Sequence, residues 1–359
     1  MRILHMIPDI GISNGVMSVI LNYFKAMPGD IQFDVLYFAH TEKTRQDDIE
    51  ALGGRVYKVD PPLPKDLLSG KMNAFFDEHP GEWSALHIHC PHFAVFIAPY
   101  AKKHGIKKIA VHCHSTCYSL KGNQTRNKLL SLYAKYFIKM KFACSRQAGK
   151  LWYGNKEFKV LNNAIDCAAF AFNESKREKI RKDMKLESAF VVGHIGRSDI
   201  PQKNHPFIIT VFAQLKKKKS NARLLLMGAD RTEILDRLCK ALDIGDSVAF
   251  LGSRTDIPDL LQACDVFLFP STNEGLPVSV VEAQASGLPV VMSDSVTDEV
   301  CITDNVFSLP LNASQKVWTD KLIEVSERSR TDMSDVIRKN GWDIYNNAEY
   351  VLSFYRKNL

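Results

Sequence analysis

Short runs of β-branched and aliphatic residues alternate with longer stretches of helical periodicity along the whole chain. No other feature narrows the fold as much. A helix between two strands returns the chain to the same end of the sheet, so the strands pair in parallel and both faces are covered by helices. Strands are expected at Arg2–Ile7, Phe33–Phe38, Arg55–Val59, Ala85–His89, Lys108–His112 and Phe142–Cys144. Helices are expected at Val16–Met27, Asp47–Leu52, Phe93–His104 and Asn127–Lys139. The rhythm restarts at Phe190–Ile195 and continues through Arg223–Met227, Val248–Leu251, Val266–Phe269 and Pro289–Met292. A chain of 359 residues has the length for two such domains. The polar stretch Asn173–Glu187 suits the linker region. The expected division is 1–168, 169–340 and a last helix over 341–359, whose Tyr345, Tyr350, Val351, Phe354 and Tyr355 recur at helical spacing and suit packing back on the first domain.

Composition excludes several classes. The longest apolar runs, such as Leu224–Met227, are strand-sized and far below the roughly 20 residues of a membrane span. Met1–Ile7 is too short for the core of a signal peptide, and Pro8-Asp9 ends it. Eight cysteines without regular spacing read as reduced, buried thiols of a cytoplasmic protein. The net charge of +7 is modest; Lys216–Lys219 reads as a solvated run, and no basic stripe interleaved with aromatics points to nucleic acid.

Ligands of doubly wound sheets bind at the carboxyl ends of strands, where loops lead into helix N-termini. After the run Val266–Phe269 come Ser271, Glu274, Gly275, Leu276, Pro277, Val278, Ser279 and Glu282. Pro277 suits the first position of a helix, whose unpaired amides at about Val278–Val280 form an anion site. Glu274 and Glu282 suit hydroxyl groups, since a carboxylate accepts two hydrogen bonds from a vicinal diol. After Phe190–Ile195 come Arg197 and Lys203, which suit a group with two negative charges. Each of these residues alone reads as an ordinary surface charge; it is their joint placement after strands that points to a site.

Gly196 to Asn204, Asp256 to Asp265 and Phe269 to Val291 together resemble the family 4 retaining glycosyltransferases, of GT-B fold. The signature is two glutamates separated by seven residues, Glu274 and Glu282, within Pro270–Val291, which reads PSTNEGLPVSVVEAQASGLPVV. Val160–Phe170, VLNNAIDCAAF, matches the inter-domain segment through Asn163, Asp166 and Phe170. The resemblance implies two Rossmann-like doubly wound domains facing a central cleft, an acceptor-binding N-terminal domain and a nucleotide-sugar-binding C-terminal domain. It places Arg197 and Lys203 on the donor diphosphate, Glu282 on the ribose, Glu274 on the transferred sugar and the base near Arg254. It implies a sugar moved from a nucleoside diphosphate sugar, UDP-linked by preference, to an acceptor hydroxyl with retained configuration, in extracellular or capsular polysaccharide synthesis. The sugar nucleotide is a co-substrate, and no cofactor is expected. No Asp-x-Asp sequence occurs, so no divalent ion is expected at the diphosphate. A sugar-nucleotide 2-epimerase and a non-catalytic sugar-nucleotide scaffold share the architecture and stand as alternatives.

The first half carries weaker signals. Gly11–Gly15 is a glycine-containing turn before a helix; the resemblance gives Gly15 the donor phosphate, but no acidic residue accompanies it. His87, His89 and His92, then His112 and His114, have residue types that ligate zinc, in spacings that match no zinc module, and the reading is no metal. The resemblance puts a histidine at the reaction centre, His114 or, two residues earlier, His112. Lys121–Lys141 sets six basic residues among leucines and aromatics. It reads equally as core with solvated lysines or as a face lying on an anionic inner leaflet, where a lipid-linked saccharide acceptor would be met.

Overall fold

The computed structural model describes residues 1–12, 14–39, 43–61, 71–119 and 122–357. Ser13 and Lys121, both in segments singled out above, lie outside them. The chain divides into two compact units, Met1–Ala164 with Ile344–Leu359, and Ile165–Asp343. The sequence placed these breaks at 168/169 and 340/341. The structure parts at 164/165 and 343/344, where Ile165 donates to the Trp342 carbonyl at 2.9 Å and bridges Asp343 within the second unit.

The first unit is a parallel seven-stranded sheet: β1 (Arg2–Met6), β2 (Gln32–Tyr37), β3 (Val56–Lys58), β4 (Ala85–Ile88), β5 (Lys108–Cys113), β6 (Met140–Ala143) and β7 (Lys159–Val160). Its order is β3-β2-β1-β4-β5-β6-β7. Winding reverses between β1 and β4, where His5 stands beside His87. Apolar residues of the helix Gly15–Ala26 and of the final helix Ile344–Arg356 share one core with β1 and β2. Tyr355 is fully buried in it, and its hydroxyl lies 2.7 Å from His87 Nδ1.

The second unit is a parallel six-stranded sheet: β8 (Phe190–Ile195), β9 (Ala222–Met227), β10 (Val248–Gly252), β11 (Val266–Phe269), β12 (Val290–Ser293) and β13 (Val306–Leu309). The order β10-β9-β8-β11-β12-β13 puts its reversal between β8 and β11, with Val192 beside Val266. Both sheets are the doubly wound parallel type expected.

Two expectations need correction. Asn173–Glu187 is not a linker: Glu174–Asp183 is a helix, capped by Asn173 Oδ1 on the Lys176 amide at 2.9 Å. It docks through arginines rather than through an apolar stripe. Arg177 Nη1 donates to the Gln262 carbonyl at 2.8 Å, Arg181 Nη1 donates to that of Ala263 at 2.8 Å, and both arginines pair with Asp265. Strand β13 was also missed, because its short run lies half-exposed at the sheet edge.

Candidate functional site

In the second unit, the loops after β8 and β11 open side by side at the reversal point. A short 3-10 turn, Pro201–Lys203, ends at Asn204, whose φ of 58° is left-handed. Two hydrogen bonds tie this turn to the loop after β11: Thr272 N donates to the Gln202 carbonyl at 2.9 Å, and Asn204 Nδ2 to that of Pro270 at 3.1 Å. Gly196 makes the approach feasible. A Cβ there would stand 2.7 Å from His194 Nε2 and 2.9 Å from the Lys203 side chain.

Lys203 Nζ consequently reaches Glu274 Oε1 at 2.8 Å, each side chain only 17% exposed, and stands over the Phe269 ring at 4.9 Å. Glu282 lies on the helix Val278–Ala285, where burial pushes its carboxyl up to about 7 while the Lys203 ammonium opposes the rise. Lys203, Glu274 and Glu282 therefore form one cluster. Pro277 is the N-cap of that helix and makes no side-chain cap, so the first amides, from Val278 and Ser279 on, lack the partner that a polar cap would supply. Leu276 is buried just before it.

Arg197 and Arg254 are drawn to neighbours of their own. Arg197 Nε donates to Asp199 at 2.8 Å, and Arg254 Nε to Asp256 at 2.7 Å, which raises the guanidinium and lowers the carboxyl of the second pair. Sequence reasoning named Asn204 and Ser271 but gave neither a role. Asn204 before a helix was a legible capping signal, whereas Ser271, fully buried with an Oγ that has no partner among the described residues, carried none.

In the first unit, Gly15 opens the helix Gly15–Ala26 and is exposed. Asn14 Oδ1 already accepts from the amides of Val16 and Met17 at 2.9 and 3.2 Å, so an anion there competes with the cap. Asp9 supplies the acid that the sequence lacked beside Gly15: its carboxylate accepts from the Gly11 amide at 2.6 Å and from Asn14 Nδ2 at 2.8 Å.

His114 ends a row of hydrogen-bonded imidazoles. His5 Nδ1 lies 2.9 Å from His89 Nε2, His89 Nδ1 lies 2.9 Å from His114 Nε2, and His114 Nδ1 lies 3.0 Å from Asn163 Oδ1. Burial lowers every one of these rings, His114 to about 4 and His5 to about 3, so all are neutral at pH 7. With the Asn163 oxygen accepting, the tautomers follow: His114, His89 and His5 each donate from Nδ1. His112, the alternative, is fully buried, with its ring centroid 4.0 Å from that of His114.

The helix Gln124–Phe137 turns its small and polar side inward, burying Asn127, Ser131 and Ala134. Leu129 and Phe137 are 62% and 65% exposed, Leu132 and Tyr136 are exposed with them, and Arg126, Lys128 and Lys139 flank them. The reading of this apolar face as core is therefore overturned.

Residues 173–342 match the family described as Glycosyl transferases group 1. The chain is 28% identical to a protein of Bacillus subtilis (strain 168) named as a glycosyltransferase, EpsF, across 99% of this chain and 96% of that one. It is 25% identical to the UDP-Gal:alpha-D-GlcNAc-diphosphoundecaprenol alpha-1,3-galactosyltransferase of Escherichia coli, over 57% of this chain and 56% of that enzyme. The crystal structure of Anabaena Alr3699/HepE in complex with UDP-glucose superposes with a TM-score of 0.77 at 21% identity, covering 98% and 99% of the two chains. The protein is thus a two-unit parallel α/β chain of GT-B fold whose residues 173–342 match the Glycosyl transferases group 1 family.

Proposed function

We propose that the chain is a retaining glycosyltransferase of family 4, moving a sugar from a nucleoside diphosphate sugar, UDP-linked by preference, to an acceptor hydroxyl. The observation that carries this reading is the Lys203–Glu274–Glu282 cluster at the β8/β11 reversal of a glycosyltransferase group 1 domain. On donor binding, Lys203 exchanges Glu274 for the diphosphate, and Arg197 turns from Asp199 to the same group. Glu274 is then free for the hydroxyls of the transferred sugar, Glu282 accepts from the ribose, and Arg254 lies toward the base. As the bond from the anomeric carbon to the diphosphate breaks, the two cations and the amides of Val278 and Ser279 stabilise the departing negative charge. No divalent ion is needed at that point, and the leaving phosphate takes the acceptor proton on the same face. Gly15 and His114, in the first unit, are assigned the donor phosphate and the reaction centre respectively. Because both His114 nitrogens are engaged within the unit, it acts there by position rather than by moving a proton.

The acceptor is a saccharide, lipid-linked as the name of the Escherichia coli relative states for that enzyme, and the process is extracellular or capsular polysaccharide synthesis. No helix among the described residues is long and apolar enough to cross a membrane. The exposed basic and apolar helix Gln124–Phe137 supports a cytoplasmic protein held reversibly at the inner leaflet. Incubation with UDP-, GDP- and ADP-sugars and a lipid-linked saccharide acceptor tests the reading, with nucleoside diphosphate release and the product's anomeric configuration as readouts. Release with a retained linkage is expected, undiminished by EDTA. A 2-epimerised donor, or binding without turnover, would overturn it in favour of an epimerase or a scaffold.

A further inference from the structure

Strands β1, β4 and β5 are neighbours, and residues two apart on a strand share a face. His5, His87 and His89, and His112 and His114, therefore gather on one face near the carboxyl end of the first sheet. One ring nitrogen from each of His89, His112 and His114 lies within 4.8 Å of the others. The other nitrogen of each ring is already anchored. His114 Nδ1 is held by Asn163 and His89 Nε2 by His5, and the Leu161 backbone holds His112. That last bond is made through Nδ1, because Nε2 is the buried His112 nitrogen with no partner among the described residues. Anchoring of the far nitrogen is what metal-bound imidazoles show, since it fixes the tautomer and the ring plane. The inward nitrogens of His89 and His114 stand 2.9 Å apart, close to the roughly 3.3 Å between two ligands at ~2.0–2.1 Å on a tetrahedral ion.

We propose that His89, His112 and His114 bind one transition-metal ion of the zinc class in an imidazole-only site at the carboxyl edge of the first sheet. The protons balance without loss. The ion takes the His114 Nε2 and His112 Nε2 lone pairs directly. His89 moves its proton from Nδ1 to Nε2 and donates to His5 Nδ1, and His5 in turn moves its own proton from Nδ1 to Nε2. That nitrogen is buried without a partner, in a ring that lines an enclosed cavity of ≈ 10 Å³, room for about one water. All rings stay neutral. His114 is half-buried, whereas the deeper trio His5, His87 and His89 is wholly buried. The ion locks the ends of β4 and β5 together and plays no part at the diphosphate in the second unit; it shares His114 with the transferase reading, and metal uptake is read without turnover, so that the two can fail separately.

The test is titration of the metal-stripped full-length chain with Co²⁺ and then Zn²⁺. One equivalent per chain is expected, with the visible absorption of tetrahedral cobalt, bleached when Zn²⁺ displaces it. Asn163→Ala should weaken binding about 10–100-fold by freeing the His114 ring, and His79→Gln, remote from the cluster, should bind as wild type. Absence of stoichiometric uptake by the wild-type chain would refute the site, a result that needs no variant to fold. Uptake retained in folded His114→Gln but lost in His87→Gln would refute it equally, by moving the ion to the deeper trio.

Discussion

Burial holds the Glu282 carboxyl close to neutral pH. Its carboxyl lies at about 7 against an ordinary 4.5, so the folded state retains a proton that the unfolded chain gives up between those values. Stability is therefore lost as pH rises from about 4.5 to 7. At pH 8, Glu282→Gln should stabilise the ligand-free protein by up to about 3 kcal/mol. At pH 4.5 the gain should vanish, which melting curves at the two pH values will show. On the proposed reading the same substitution weakens binding of the free nucleoside diphosphate, and the binding of wild type weakens as pH falls below about 7. Equal calorimetric affinity of Glu282→Gln and wild type would remove Glu282 from the ribose. Lys203→Ala and Arg197→Ala should each lower turnover by about 10²–10³-fold, the scale for losing one preorganised stabilising group. Near-normal turnover in the double variant would remove both from the diphosphate.

At the scale of elements, two helices depart from the amphipathic rule in opposite ways. Glu174–Asp183 is polar on nearly every side and is fastened by Arg177 and Arg181, which pair with Asp265, whose carboxylate also accepts from the Val191 amide at 2.7 Å. Asp265→Ala leaves two poorly exposed guanidinium groups without their acid, and should cost about 3–5 kcal/mol in denaturant unfolding. A loss below 1 kcal/mol would show that the backbone carbonyls suffice. The helix Gln124–Phe137 instead keeps Leu129, Leu132, Tyr136 and Phe137 outside. Co-sedimentation with anionic vesicles at low salt should capture the wild type, and high salt should release it, since each basic residue at such a surface contributes on the order of 1 kcal/mol. Charge reversal at Lys128, Lys135 and Lys139 should abolish capture while sparing donor turnover. Indifference of the wild type to anionic vesicles would make a soluble acceptor the better reading.

For the molecule as a whole, histidine burial sets the response to acid. His5, His87, His89, His92, His112, His114, His194 and His205 are all lowered from 6.5 by burial, the first to about 3 and His92, His114 and His205 to about 4. The unfolded chain takes up these protons below pH 6.5 and the folded one does not, so stability falls with pH from 6.5 toward 4. Each ring contributes about 1.4 kcal/mol per pH unit in that window. Chemical unfolding at pH 7, 6 and 5 should show a loss far steeper than carboxylates alone produce. A flat profile over that range would mean that the rings are charged in the native state.

The sequence by itself determined the parallel α/β architecture, its repetition, and the residue types after β8 and β11, because strand–helix alternation and polar residues at strand ends are local properties. Glu274 and Glu282 were legible for that reason, and so were Arg197 and Lys203. Tertiary structure alone decided which of these meet. Lys203 and Glu274 are 71 positions apart, and only the adjacency of β8 and β11, with Gly196 leaving room, closes them to 2.8 Å. The histidines were visible as residues but not as a row, since their hydrogen bonds depend on β1, β4 and β5 lying in register. The helix Glu174–Asp183 was hidden because charged hydrogen bonds to distant carbonyls, rather than apolar periodicity, hold it. The outward face of Gln124–Phe137 was ambiguous because periodicity shows that a stripe exists and packing alone decides which side is buried.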